Sequence, residues 1–564
     1  MEMISLLSRR GAVAVCIMLS ACAAGPSAAT DYPASDDHAY GAFLAARYAD
    51  ALNDPADATK YYIEALRADP DNQALLSEGF LSALLAGSPH ARELAARVPD
   101  NTLAVLLRGN QAALDGNFRQ AKALFSLLPQ DDLTVLIKPL LLAWTTFGRG
   151  NTQAALSGLG PYFNSGGFGA VYVLNAALIA DAAHDDKDAA QLYAAVNTDQ
   201  PNLRLAEILA SWQARQGQIA QAAMEFATLA AAHPDLLIAV PALQAQMQRP
   251  VINTAVQGMA EAYLTLAGAL DQPSQGFLRT TLLRFALMLR PDLTAARLLL
   301  ASTQSGTDSP SATPTHMQME NALTTLQPVT PDDALYGPVA LQQANLLAAL
   351  GRSADAVALL DKLIAMMPGD PDLLANAGDV LRSANQLAAA IPYYDKAIAA
   401  VGKPPPPDAW VLYFDRGICE DQLGNWAAAE PDMLTALSLS PNQPYVLNYL
   451  AYSWAVRGEK LDRAETMLQQ AVGLDPNDGA VIDSLGYVNL REGHTDMAVK
   501  LLTQAVELDP DDAEVNAHLG DAFWQAGQKL QANYQWQRAL SLQPDARLRT
   551  EITGKLQKNF APRA

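Results

Sequence analysis

The chain is poor in the residues that most enzyme and metal chemistry requires. It has three cysteines in 564 residues, Cys16, Cys22 and Cys419, which excludes a scaffold stapled by disulfides. The seven histidines, His38, His90, His184, His233, His316, His494 and His518, show no HExxH or other metal-ligand spacing. Neither a Gly-x-Ser-x-Gly elbow, nor a phosphate-binding loop, nor a dinucleotide fingerprint occurs. Positive charge is scarce, with 38 Lys and Arg against 59 Asp and Glu and a formal net charge of −21. Such a surface repels nucleic acid and anionic head groups, so neither is expected as a partner. No apolar run spans a bilayer core of about 30 Å, and no run of β-branched residues alternates at period two. These absences lead to the expectation of a non-enzymatic chain with no metal, no cofactor and no small-molecule substrate.

What the chain has in abundance is periodicity. Pro441, Pro476, Pro510 and Pro544 lie 35, 34 and 34 residues apart and close the similar stretches ALSLSPNQ, AVGLDPND, AVELDPDD and ALSLQPDA. Small or apolar residues fall in register with them. Leu450/Ala451, Leu485/Gly486 and Leu519/Gly520 stand in the first helices, Ala464, Ala498 and Ala532 in the second, followed by Ala471, Ala505 and Ala539. Glycine and alanine let two helix backbones approach, while Trp454, Phe523 and Trp536 fill the space left. Gly424, Gly458, Gly493 and Gly527 mark the turns between the helices of each pair. Cys419, two residues after Gly417, is expected as a buried thiol.

A period of 34 with this layout resembles the tetratricopeptide (TPR) helix–turn–helix repeat. The expected fold is all-α, a TPR solenoid wound as a right-handed superhelix of about a dozen repeats, in which each repeat contacts mainly its neighbours. The regular C-terminal block covers 404–546, followed by a C-terminal helix or tail at 547–564. Repeat-like units occupy 331–403, and a helical connector with a Ser/Thr/Pro-rich loop at 302–316 occupies 236–330. A degenerate array over 36–235 keeps the spacing in Ala58-Tyr62-Ala65-Pro70, Gly109-Gly116-Ala121-Phe125 and Gly217-Ala222-Phe226-Pro234.

Arg9-Arg10, the apolar segment Gly11 to Leu19 and the small residues that follow have the build of a secretory signal over residues 1–21. Leu19-Ser20-Ala21-Cys22 resembles the lipobox of bacterial lipoproteins. That resemblance implies lipidation of Cys22, a flexible tether over 22–35, and, since residue 23 is Ala rather than Asp, an address at the periplasmic face of the outer membrane.

Counting from the Gly/Ala packing position places Phe414, Ile418, Asn448, Tyr452, Asp483, Tyr487, Asp521 and Trp524 on the first-helix face that looks away from the neighbouring helix. Aromatics flanked by carboxylates and an amide suit an extended or helical peptide, so Phe414, Asn448, Tyr452, Asp483, Tyr487, Asp521 and Trp524 are the candidate partner-binding groove. Phe414 and Ile418 stand where chaperone-binding TPR domains carry Lys and Asn, which argues against that mode of recognition.

The runs Pro444-Tyr-Val-Leu-Asn-Tyr-Leu-Ala-Tyr-Ser-Trp454, Val481-Ile-Asp-Ser-Leu-Gly-Tyr487 and His518-Leu-Gly-Asp-Ala-Phe-Trp524 resemble the C-terminal half of a family of proteobacterial TPR outer-membrane lipoproteins. One branch of that family acts as an adaptor for a periplasmic carboxyl-terminal processing protease and its peptidoglycan-hydrolase substrates. The resemblance implies a periplasmic scaffold whose partners are proteins. An assembly factor for an outer-membrane secretion or polysaccharide-export machine is the alternative expectation.

Overall fold

The computed structural model describes residues 35–130, 132–196, 202–270, 272–306 and 314–560. The signal segment, Cys22 and the tether as far as residue 34 lie outside the described residues. Every regular element among the described residues is helical, and the architecture is a TPR helix–turn–helix solenoid. No helix among them is long and apolar enough to cross a membrane. The chain divides into two compact units, one ending at Val98 and one beginning at Pro99.

In the first unit the helices Ser35–Ala51, Pro55–Ala68, Gln73–Ala86 and His90–Arg97 pack around Tyr62 and Phe80, both fully buried. The Tyr62 hydroxyl lies 2.6 Å from a carboxylate oxygen of Asp50 and of Glu78 and has one proton to donate between them, so the one polar atom of a buried ring is met by the helices on either side. Leu44 and Tyr48, on the outer face of the first helix, are 50% and 67% exposed.

The second unit ends in the regular block, where the sequence register is visible as packing. The helix pairs are Trp410–Gln422 with Trp426–Leu439, Pro444–Arg457 with Leu461–Leu474, Gly479–Glu492 with Thr495–Leu508, and Ala513–Gln525 with Lys529–Ser541. A Cβ added at Gly486 would lie 2.6 Å from Leu502 Cγ, and one at Gly520 would lie 2.5 Å from the Trp536 ring. Each glycine is therefore the hollow that receives a large side chain of the second helix. Ala464, Ala498, Ala532, Ala471, Ala505 and Ala539 are all fully buried. The turn after Gly458 carries one extra residue and puts Lys460 in the left-handed region at φ 48°. The helix Ala546–Phe560 closes the array by laying Leu548 and Ile552 against Trp536.

Further upstream the array departs from neighbour-only packing. The helix Ala255–Gly268 returns to pack against Asp132–Gly148 and Gly169–Ala182, and Gly276–Leu289 touches Thr102–Leu114. A Cβ at Gly258 would come within 2.2 Å of the Trp144 ring, so absence of a side chain permits that crossing. Polar side chains lock it: Tyr263 Oη donates to Asn110 Oδ1 at 3.1 Å and Asn175 Nδ2 to Thr265 Oγ1 at 3.3 Å. Nearby, Arg204 is held by Glu261 and Glu207 at 2.7 and 2.8 Å, an arrangement in which charges removed from water are mutually compensated. The Ser/Thr/Pro-rich stretch 302–316 is helical at both ends, where Thr294–Ser305 finishes and His316–Leu326 starts behind a Thr315 capping box. Residues 307–313 lie outside the described residues.

Candidate functional site

Successive first helices of the regular block touch one another, Pro444–Arg457 on Gly479–Glu492 and Gly479–Glu492 on Ala513–Gln525. They do so more extensively than successive second helices, which sets the first helices on the inner side of this block. Their registers bring Tyr452, Tyr487 and His518, from three consecutive repeats, into one ring cluster. The centroid of Tyr487 is 4.5 Å from that of His518 and 5.5 Å from that of Tyr452.

Polar contacts fix each ring. Tyr452 Oη donates to Glu514 Oε1 at 2.9 Å, and Arg491 Nη1 donates to Tyr487 Oη at 3.1 Å. His518 Nδ1 meets both oxygens of Asp483, at 2.9 and 3.1 Å, with each side chain 8% exposed. Burial alone would push the imidazole down. The Asp483 carboxylate outweighs it, with Glu514 and Asp521 adding to the effect, and raises it from 6.5 to about 9. His518 is thus an imidazolium at neutral pH, closed in an ion pair and unsuited to act as a base. Burial, followed by the charge of Glu514, also moves the Tyr452 phenol well above its usual range. The cluster offers the fixed rings of half-buried Tyr452 and Tyr487 beside buried His518, and no activated nucleophile.

The other candidate residues separate into two neighbourhoods. Phe414 packs on Trp410 at 6.0 Å and edge-on to Tyr449 at 5.9 Å, and Ile418 is half-buried in the same core. Asn448 is half-buried, and its Oδ1 is enclosed without a hydrogen-bond partner. Asp521 accepts from Trp536 Nε1 at 2.9 Å and from Lys555 at 2.7 Å, and the Trp524 ring stacks at 5.7 Å from Trp536. Asp483 differs from the sequence expectation of a groove-lining carboxylate, because it is 5% exposed and engaged by His518. Sequence reasoning also passed over His518, Glu514 and Arg491. His518 stands two residues before Gly520, a position that faces the preceding repeat, and this was the available signal. Cys419 is free and fully buried, as expected.

The tetratricopeptide repeat family model matches residues 341–409, 414–479 and 484–547; these residues are tetratricopeptide repeats, and repeats of this kind support a protein–protein interaction scaffold. A TPR repeat-containing protein of Pseudomonas aeruginosa is 31% identical over 159 residues, 28% of this chain and 26% of that protein. The chain thus spans about a quarter of the curated relative it matches. Among solved structures, yeast Tom70 aligns over 81% of this chain and 95% of its own at 14% identity and a TM-score of 0.35. A tetratricopeptide repeat protein from Parabacteroides merdae aligns over 47% of this chain and 99% of its own at 15% identity and a TM-score of 0.37. At such scores the similarity carries nothing about partners.

Proposed function

We propose that the chain is a non-enzymatic scaffold, lipid-anchored through Cys22 at the periplasmic face of the outer membrane, that binds an extended or helical segment of a partner protein on the first-helix face of its C-terminal block. The observation that supports this reading is the Tyr452–Tyr487–His518 cluster, whose rings are held by Glu514, Arg491 and Asp483 before any partner arrives. Rings held in place in this way lose little rotamer freedom on binding, which favours affinity. The resemblance of the 444–454, 481–487 and 518–524 runs to adaptor lipoproteins points to a carboxyl-terminal processing protease and its cell-wall hydrolase substrates as the partners.

Replacing Tyr452, Tyr487 and Trp524 together by Ala tests the groove. Aromatic anchors contribute about 2 kcal/mol or more each, so capture of the protease and hydrolases from envelope extract should fall far beyond tenfold. Circular dichroism should stay native. Capture at wild-type strength by a folded variant would remove this face from the function.

A further inference from the structure

Three side chains that the sequence pattern did not link converge beside the turn at Gly493. Glu465 lies on the helix Leu461–Leu474, Glu492 is the last residue of Gly479–Glu492, and His494 precedes Thr495–Leu508. Gly493 has a φ of 83°, and this left-handed turn reverses the chain between Glu492 and His494. One ligand atom from each of Glu465, Glu492 and His494 lies within 4.8 Å of the other two. His494 Nδ1 is 3.4 Å from Glu492 Oε2.

The Glu492 side chain is only 10% exposed, and its buried Oε2 makes no well-formed hydrogen bond, His494 Nδ1 standing 3.4 Å away. Neither Glu465 nor Glu492 has an ion pair with Lys or Arg among the described residues. Gln469 Nε2 donates to Glu465 Oε1 at 3.2 Å and orients that carboxylate, as outer partners of metal ligands do. Glu465, Gln469 and His494 line a cavity that also includes Asn489 and Asp496. Two carboxylates this close, one nearly enclosed, repel each other when both are charged, and a cation between them would relieve that repulsion.

We propose that Glu465, Glu492 and His494 form a site for a first-row divalent cation of the zinc type. Carboxylates alone would suit calcium or magnesium, whereas the imidazole nitrogen turns the preference toward zinc. Three protein ligands leave room for water at the fourth position. Because Glu465 belongs to one repeat and the other two ligands to the next, the ion ties two repeats together, and binding is read out as stability. Ligands drawn from successive repeats make no short motif, which is why the histidine spacing gave no sign of them.

The test uses the tag-free chain, treated with chelator and titrated with zinc chloride by calorimetry and by thermal melting. The wild type should bind one zinc ion per chain and melt at a higher temperature with zinc than without. Glu492→Gln and His494→Ala should each weaken zinc binding more than tenfold, while His316→Ala, at an exposed position in another helix, should leave it unchanged. In chelator, Glu492→Gln should melt at or above the wild type, since a repelling charge has gone, and the order should reverse with zinc present. His494 is mostly exposed, so His494→Ala should keep its fold and report on the site even if Glu492→Gln does not. A wild type indifferent to zinc, or zinc affinity unchanged in both ligand variants, would overturn the proposal.

Discussion

Gly486 and His518 show how much rests on single side chains in the regular block. With Leu502 Cγ 2.6 Å from where a Cβ would stand, Gly486→Leu should overpack the crossing by about 1–3 kcal/mol or more and pass the loss to adjoining repeats. A lowered melting temperature checks this, and an unchanged one would refute the packing register. His518 gives a dependence on pH. Its folded value of about 9 exceeds the 6.5 of an unperturbed imidazole, so the pair with Asp483 stabilises fully below pH 6.5 and fades as pH rises through 9. The difference corresponds to roughly 3 kcal/mol. Melting curves between pH 6 and 9.5 should show this loss in the wild type and little of it in His518→Gln.

Among the helices, the regularity of the proline turns exposes one that is incomplete. Asn72, Asn101, Asp370, Asp478 and Asp512 each follow a proline or glycine turn and accept from the backbone N–H groups that open the next helix. Gln443 holds the same place with φ −85° and ψ 107°, nearly those of Asp478, yet makes no side-chain cap. Gln443→Asp should therefore stabilise the block by about 1 kcal/mol, visible as a higher melting temperature. The same regularity explains what the sequence reveals. A repeat of 34 residues reports every contact within a repeat, so Gly486, Gly520 and the buried alanines were legible. Tyr452 and Tyr487 could be put on one face by counting from them. The pairing of Asp483 with His518 was not legible, because it depends on the angle between successive first helices. Nor was the return of Ala255–Gly268 onto Asp132–Gly148, since Asn110 and Tyr263 meet across a separation of 153 residues with no period to announce it.

For the whole molecule, the proposed address depends on a single atom, the Cys22 sulfur. Cys22→Ser should release the protein from the outer-membrane fraction, because no helix among the described residues is long and apolar enough to span a bilayer. Fractionation followed by a salt wash checks this, and a variant that still sediments with the membrane would sink the anchor. Removal of the signal and acylation of Cys22 would leave Cys419 as the one thiol of the mature chain. It is sealed beside Leu381, Leu387, Ala390 and Tyr394, and burial pushes it up to about 11. A disulfide-exchange reagent can reach that sulfur only while the seam between two repeats is parted. The rate of labelling in native buffer is consequently a clock for how often the array breathes at that seam, built into the chain without any engineered probe.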